Sequence, residues 1–299
     1  MSGFEVLHGG ILTSVQDKGR DGHTHCGITP SGAMDEYAYL WSQKLLDNHG
    51  GNALEILLSG LKLKATAPTT ISVCGADLGF HINGSPLPIW QTHQVYPGDI
   101  LTFEHKKKGM RAYLAVKGGF EVPVFEGSCA TTLKENKGKK LEKGDILPFS
   151  PSTSREIRRV ADKFLPRYPD TLTLRIILSA QHHYFTEKQQ EEFFTHRYTI
   201  TPQISRMGYK LQGEAMVPST GGIISEGITF GAIQIPPDGQ PIILLKERQT
   251  IGGYPKIGSL LPIDCFRLAQ LPIGAKVTFE PIKIEEAQKE MRAFYRFFS

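Results

Sequence analysis

Turn-forming residues interrupt this chain so often that few segments have room to be anything but short strands. Glycine occurs 31 times and proline 19 times in 299 residues. The stretches between them are brief and β-like: Ile71–Cys74, Ile100–Phe103, Ala112–Val116 and Ile242–Leu245. Many short strands with turn signals between them predict barrels or sandwiches. Pro97-Gly98-Asp99 and Lys143-Gly144-Asp145 read as turns feeding strands, because glycine adopts backbone angles other residues resist.

Helical spacing breaks this pattern in a few places. Met34, Tyr37, Ala38, Trp41 and Leu45 fall on one helix face, with Ser31 or Asp35 available as a cap. Thr186 can cap Glu187–Phe194, Asp264 can cap Cys265–Leu271, and Ile284–Phe298 reads as a terminal helix with an apolar face.

The length is about twice that of a typical domain. Ser, Pro, Arg and Lys mix between Pro148 and Pro169, which reads as a connection whose Arg-rich middle is a candidate short helix. This places domains at 1–150 and 171–299 with a connector at 151–170. An internal repeat supports the division. Asn83-Gly84-Ser85-Pro86-Leu87-Pro88-Ile89 echoes Asp238-Gly239-Gln240-Pro241-Ile242-Ile243-Leu244, and Gly98–Glu104 echoes Gly274–Glu280 in the same order. Arg20-Asp21-Gly22 and Arg206-Met207-Gly208 stand upstream in comparable places. The second copy carries added loop residues, including Gln249–Pro255, where function tends to be placed.

A net charge of +4 is mild, and the basic runs Lys106–Lys108 and Lys137–Lys140 lack aromatic stacking partners, so nucleic acid is not implied. The N-terminus lacks the pattern of a signal peptide, and no apolar run approaches the roughly 20 residues that span a bilayer. Cys26, Cys74, Cys129 and Cys265 are scattered without a C-x-x-C pair, which fits reduced thiols in a cytoplasmic protein.

Familiar catalytic signatures are missing: no G-x-x-x-x-G-K-[ST] loop, H-E-x-x-H, G-x-S-x-G or Ala-Met-Lys-Met biotin attachment sequence occurs. Nucleotide or biotin chemistry therefore needs an unconventional site or a partner chain. Two polar, glycine-rich segments stand out. The first holds Gln16, Asp17, Arg20, Ser31 and Asp35, where Arg20 could clamp a carboxylate or phosphate. The same residues could instead close a barrel, with Asp17 paired to Arg20 and Ser31 capping a helix. The second holds Arg206, Ser225, Gln234, Gln249, Thr250, Gly252, Gly253 and Tyr254. Its donors could polarise an amide carbonyl or hold phosphoryl oxygens, or could brace the barrel. His23 and His25 would share one face of a strand, but no third ligand is in view for a metal. Glu55 is an acid at the mouth of an apolar strand.

Gln16-Asp17-x-Gly19-Arg20, Ser31-Gly32-Ala33-Met34-Asp35, Gly118-Gly119, Gly127-Ser128, Arg206-Met207-Gly208, Gln234-x-Pro236-Pro237-x-Gly239 and Gln249-Thr250-x-Gly252-Gly253-Tyr254-Pro255 together resemble one family, in order and over nearly the whole chain. It is the family of C-type 5-oxoprolinase subunits, also called allophanate hydrolase subunit 2 or biotin-dependent carboxyltransferase. The chain is also similar to the carboxyltransferase region of urea carboxylase and to a sporulation-kinase regulator. The resemblance implies a mainly β chain of two cyclophilin-like β-barrel domains in tandem, with a few helices. It implies ATP-dependent opening of 5-oxo-L-proline to L-glutamate, with A-type and B-type partner subunits. ATP would be shared with a partner, and the need for Mg is left open. It makes Arg206, Gln234 and Gln249 the catalytic candidates. Gln16, Asp17, Arg20, Ser31, Asp35, Ser225, Thr250, Gly252, Gly253 and Tyr254 become candidates for binding substrate, in a pocket lined by both barrels. Two segments depart from the family pattern: Ser179-Ala180-Gln181, where Gly-Pro-Gln is frequent, and Glu247-Arg248, where an aspartate is common. The resemblance also leaves room for transfer of a carboxyl group from carboxybiotin on another chain, or for a non-catalytic regulator of a kinase-inhibitor partner.

Overall fold

Leu61–Ala65 alternates buried Leu61, Leu63 and Ala65 with exposed Lys62 and Lys64, the period of a strand with one wet face. Thr69–Asp77 is buried along almost its whole length, which requires cover on both faces. A computed structural model, which describes residues 2–152 and 156–299, shows what that cover is. The chain divides into two units, Met1–Arg20 with Ser31–Tyr168, and Asp21–Pro30 with Pro169–Ser299.

In the first unit a six-stranded sheet runs in the order Ile146–Pro148, Gly3–Gly9, Leu61–Ala65, Ile100–Phe103, Phe80–Ile82, Ser85–Pro86. A five-stranded sheet runs Leu12–Gln16, Ala53–Leu57, Lys108–Val116, Thr69–Asp77, Gln91–Val95. Phe4, Val6, Leu63 and Phe103 from the first and Val15, Ile56, Val73 and Leu114 from the second join one buried cluster. Withdrawing each such side chain from water contributes roughly 1.5–3 kcal/mol. The far face of Thr69–Asp77 is covered by helix α1 (Glu36–Lys44), whose Ser42 carbonyl accepts from Ser72 Oγ at 2.7 Å. Asp35 caps α1, accepting from the Ala38 N–H at 3.1 Å.

In the second unit seven strands close into a barrel: Thr171–Leu178, Lys256–Leu260, Ala232–Gln234, Ile242–Leu244, Gly208–Gln212, Tyr198–Ile204 and Lys276–Pro281. Helix α2 (Glu187–Thr195) starts on a capping box between Thr186 and Gln189 and stacks Phe193 on Phe279 at 4.3 Å. Helix α3 (Pro262–Leu268) begins two residues before the expected cap, with Pro262 in its first turn. Asp264 is therefore no cap: it is engaged by Arg175, as the strand N–H, Nε and Nη2 all donate to it at 2.8–2.9 Å. Helix α4 (Ile284–Phe298) has the bounds its sequence predicts, and Glu290 ties it to Arg175 at 2.7 Å.

Three expectations need adjusting. Part of the Arg-rich connector, Thr153–Arg155, lies outside the described residues, and Glu156–Arg159 is not helical; the nearest turn is the 3-10 segment Asp162–Phe164. The His23–Cys26 stretch is a 3-10 turn rather than a strand. The repeat holds for its hairpins: Asn83-Gly84 and Asp238-Gly239 both join antiparallel neighbours. Its second match diverges, since Ile100–Phe103 pairs only antiparallel whereas Lys276–Pro281 runs parallel to Thr171–Leu178.

Candidate functional site

The first polar segment folds as a clasp around Ser128–Thr132. Asp17 Oδ1 accepts from the Ser128 hydroxyl and the Gly19 N–H, both at 2.7 Å, while Oδ2 accepts from the Cys129 N–H at 2.7 Å. Arg20 Nη1 donates to Thr132 Oγ1 at 3.1 Å, and Nη2 donates to the Ala130 carbonyl at 2.5 Å. Gln16 Nε2 and Ser31 Oγ both donate to the Thr131 carbonyl, at 3.1 and 3.0 Å. Asp17 and Arg20 thus hold neighbouring parts of one segment instead of each other. Gly32 has φ +96°, and a Cβ there would lie 2.8 Å from the Lys18 backbone, so only glycine lets the two loops meet. Two atoms of the clasp, Gln16 Oε1 and Arg20 Nε, are buried without a partner. Burial, and then the negative charge of Asp17, pushes the Cys129 thiol up to about 12, which leaves it protonated and poor as a nucleophile.

Asp35 and Glu55 lie in a different network of the same unit. Glu55 Oε2 accepts from the Met34 N–H at 2.8 Å and from the Tyr113 hydroxyl at 2.7 Å, and Arg111 lies 3.7 Å from its other oxygen. The Tyr113 oxygen accepts from the Asp35 N–H at 2.8 Å. These groups are almost wholly buried and join the start of α1 to the sheet. Among the described residues no group of three His, Cys, Asp or Glu side chains could hold a metal ion, His23 and His25 included.

In the second unit the Gln249–Pro255 loop folds back as a two-stranded ribbon. Glu226-Gly227 pairs with Ile251-Gly252, the Ile223 N–H donates to the Gly253 carbonyl at 2.8 Å, and the Ile228 N–H donates to Thr250 at 3.0 Å. Beneath Gly252 sits the side chain of Gln234, which is 5% exposed and whose Nε2 donors have no partner. A Cβ on Gly252 would lie 2.6 Å from that nitrogen and 2.5 Å from Ile228 Cδ1. Close approach, not backbone angle, is what demands glycine here. Lys256 stands opposite Gln234 on the neighbouring strand and forms an ion pair with Glu226. The Lys256 ammonium holds the Glu226 carboxyl below its ordinary value. Gln181 completes the group: Nε2 donates to Glu226 at 2.6 Å and Oε1 accepts from the Lys256 N–H at 2.9 Å.

The three catalytic candidates are attached at separate places on the backbone. Gln234 pairs opposite Ile242 at one end of Ile242–Leu244, while Arg206 is tied beyond the other end, where its carbonyl accepts from the Glu247 N–H. The Arg206 side chain donates from Nε to Glu247 at 2.5 Å. Gln249 is exposed in the turn, and Ser225 and Tyr254 lie exposed on or beside the ribbon. The group around Gln234 instead contains Lys256, Glu226 and Gln181, none of which sequence reasoning selected for a role. A lysine directly after Gly-Gly-Tyr-Pro was the available signal, since strand pairing brings it opposite Gln234. The departing segment Ser179-Ala180-Gln181 supports this cluster, as Ser179 Oγ donates to the Lys256 carbonyl. The second departure supplies the partner of Arg206, through Glu247.

Comparison with known proteins places these features in a family. A model described as "Carboxyltransferase domain, subdomain A and B" matches residues 26–281. The chain is 32% identical to the C-type 5-oxoprolinase subunit of Escherichia coli (strain K12), over 99% of this chain and 96% of that protein. It is 34% identical to the C-type 5-oxoprolinase subunit of Haemophilus influenzae, over 97% of this chain and 94% of that protein. The solved structure of Kluyveromyces lactis urea carboxylase superposes with a TM-score of 0.94 at 26% identity, covering 99% of this chain but 29% of that larger one. The chain therefore belongs to the family of carboxyltransferase domains with subdomains A and B.

Proposed function

We propose that this chain is the C-type subunit of an ATP-dependent 5-oxoprolinase, working with A-type and B-type subunits to open 5-oxo-L-proline to L-glutamate. The single observation that carries the site assignment is the buried Gln234 amide with unpartnered N–H groups, next to the Lys256–Glu226 pair. A buried donor left unpaired costs about 1–3 kcal/mol, and an amide or phosphoryl oxygen from a substrate supplies the missing acceptor. Similarity to the two bacterial subunits over nearly their full length supports the choice of substrate.

The chemistry follows from the stability of a lactam. Its oxygen takes the terminal phosphoryl group of ATP and ADP leaves. Water adds to the ring carbon now made electrophilic, and C–N cleavage opens the ring to an acyl phosphate with the nitrogen leaving as the amine. A second water releases phosphate and glutamate. Gln234 orients the oxygen, and Lys256 contributes positive charge where phosphoryl charge must be stabilised. ATP is held in common with a partner subunit, consistent with the absence of a phosphate-binding loop sequence in this chain. Co-expression with A-type and B-type partners, followed by an assay of 5-oxoproline-dependent ATP hydrolysis, tests this reading. Glutamate formation that requires all three chains is expected; its absence with all three present overturns it.

The carboxyltransferase family model and the likeness to urea carboxylase favour a second reading, carboxyl transfer from carboxybiotin borne by another chain. Activity that appears only with a biotinylated carrier would select it over the first.

A further inference from the structure

A cavity of about 630 Å³ opens in the first unit beside the Gln16–Arg20 loop, within the size range of small-molecule sites. Its walls are mainly apolar, with Val15, Val122, Val124, Phe125, Leu141 and Leu147 among them. The polar groups on the wall are largely matched within the protein. Lys139 pairs with Asp145 at 2.5 Å, Lys137 pairs with Glu135 at 2.9 Å, and Glu121 accepts from Ser150 at 2.8 Å.

Arg20 is the exception. It is 2% exposed and lines the cavity, yet among the described residues no carboxylate lies within ion-pair distance of it. Its two hydrogen bonds go to a neutral hydroxyl and a carbonyl, and Nε has no hydrogen-bond partner. The Phe125 ring, 5.8 Å from its guanidinium carbon, offers a face but no counter-charge. A guanidinium cannot shed its charge at any ordinary pH, and a buried cation without a counter-charge is unfavourable. The energetic gap closes when an anion enters the cavity. Depth then decides the kind of anion. A group as enclosed as Arg20 is out of reach of a flat protein surface, but a single carboxylate on a slim apolar stem can reach it.

We propose that this cavity binds a small amphipathic monocarboxylate, with its carboxylate on Arg20 and its hydrocarbon body against Val122, Val124, Phe125 and Leu147. This site is in the first unit and does not depend on the role assigned to Gln234.

Isothermal titration of the full chain, without partners, with hexanoate and with the neutral hexanamide tests the proposal. Hexanoate binds at one site, and the amide binds at least about tenfold more weakly, as loss of a charge-assisted hydrogen bond requires. Arg20→Met abolishes the preference for the acid. Ile146→Glu sets a negative charge on the exposed rim, where Ile146 is 44% exposed, and weakens binding of the acid but not of the amide. This second variant decides the matter if Arg20→Met does not fold. Equal affinity for acid and amide, no saturable binding at millimolar concentration, or acid binding unchanged in Ile146→Glu would each overturn the site.

Discussion

Two arginines, Arg175 in the second unit and Arg20 in the first, meet opposite surroundings. Arg175 meets Asp264 through two side-chain nitrogens and Glu290 through a third, and Asp264 itself is wholly buried. Arg206 has Glu247 and Lys256 has Glu226. Among the described residues Arg248 has no acid, but it donates from Nε to the Ile228 carbonyl at 3.0 Å, and burial draws its pKa down. In the first unit Arg111 has Glu55, whereas Arg20, among the described residues, has neither an acid nor a hydrogen bond at Nε, and it faces a cavity. The lesson is that a buried charge alone does not mark a site. A buried arginine matched by its own chain acts as scaffold; one left unmatched beside open space points to a ligand.

The largest expected effect tests the scaffold side of that contrast. Asp264→Ala strands Arg175 and lowers stability by about 3 kcal/mol or more in urea unfolding, whereas Glu290→Ala, at a surface-facing partner, costs under about 1 kcal/mol. Next is the packed ribbon. Gly252→Ala forces a methyl group against Ile228 and Gln234 and costs about 1–3 kcal/mol. Gly221→Ala, where a Cβ meets nothing within 4 Å, serves as its neutral control. Arg20→Met then sharpens the comparison: it removes an unmatched charge but also the bonds to Thr132 and Ala130, so it costs about 1–3 kcal/mol, less than Asp264→Ala. A loss as large as that of Asp264→Ala would make Arg20 scaffold after all.

The smallest effect is in pH. The folded carboxyl of Glu226 is held below its ordinary value by Lys256, so the stability it confers is present above the unfolded pKa. That contribution fades as pH falls through the lower folded value. Stability of wild type and Glu226→Gln should differ by less than about 1 kcal/mol at neutral pH, because the Glu226 side chain is half exposed. The difference should vanish in acid.

Much of this was legible before the structure. Periodicity and caps located α1, α2 and α4, because Asp35, Thr186 and the apolar face of Ile284–Phe298 act locally. The start of α3 was misplaced because Asp264 looks like a cap in sequence, while a strand residue far away, Arg175, claims its side chain. Sequence also isolated both polar segments, yet it could not show that Gln234 and Arg206 are attached at opposite ends of Ile242–Leu244. Strand pairing sets which residues face one another, and that is invisible in a linear reading. The same long-range pairing hid Lys256 and Glu226. Nothing in the sequence could show that Arg20 is left unmatched, since that depends on where every nearby acid ends up.

The most direct test of the central claim is turnover by the reconstituted three-subunit complex carrying Gln234→Leu, with assembly checked by co-purification. The account predicts an intact complex whose 5-oxoproline-dependent ATP hydrolysis falls at least about tenfold. Wild-type turnover from that complex would contradict it.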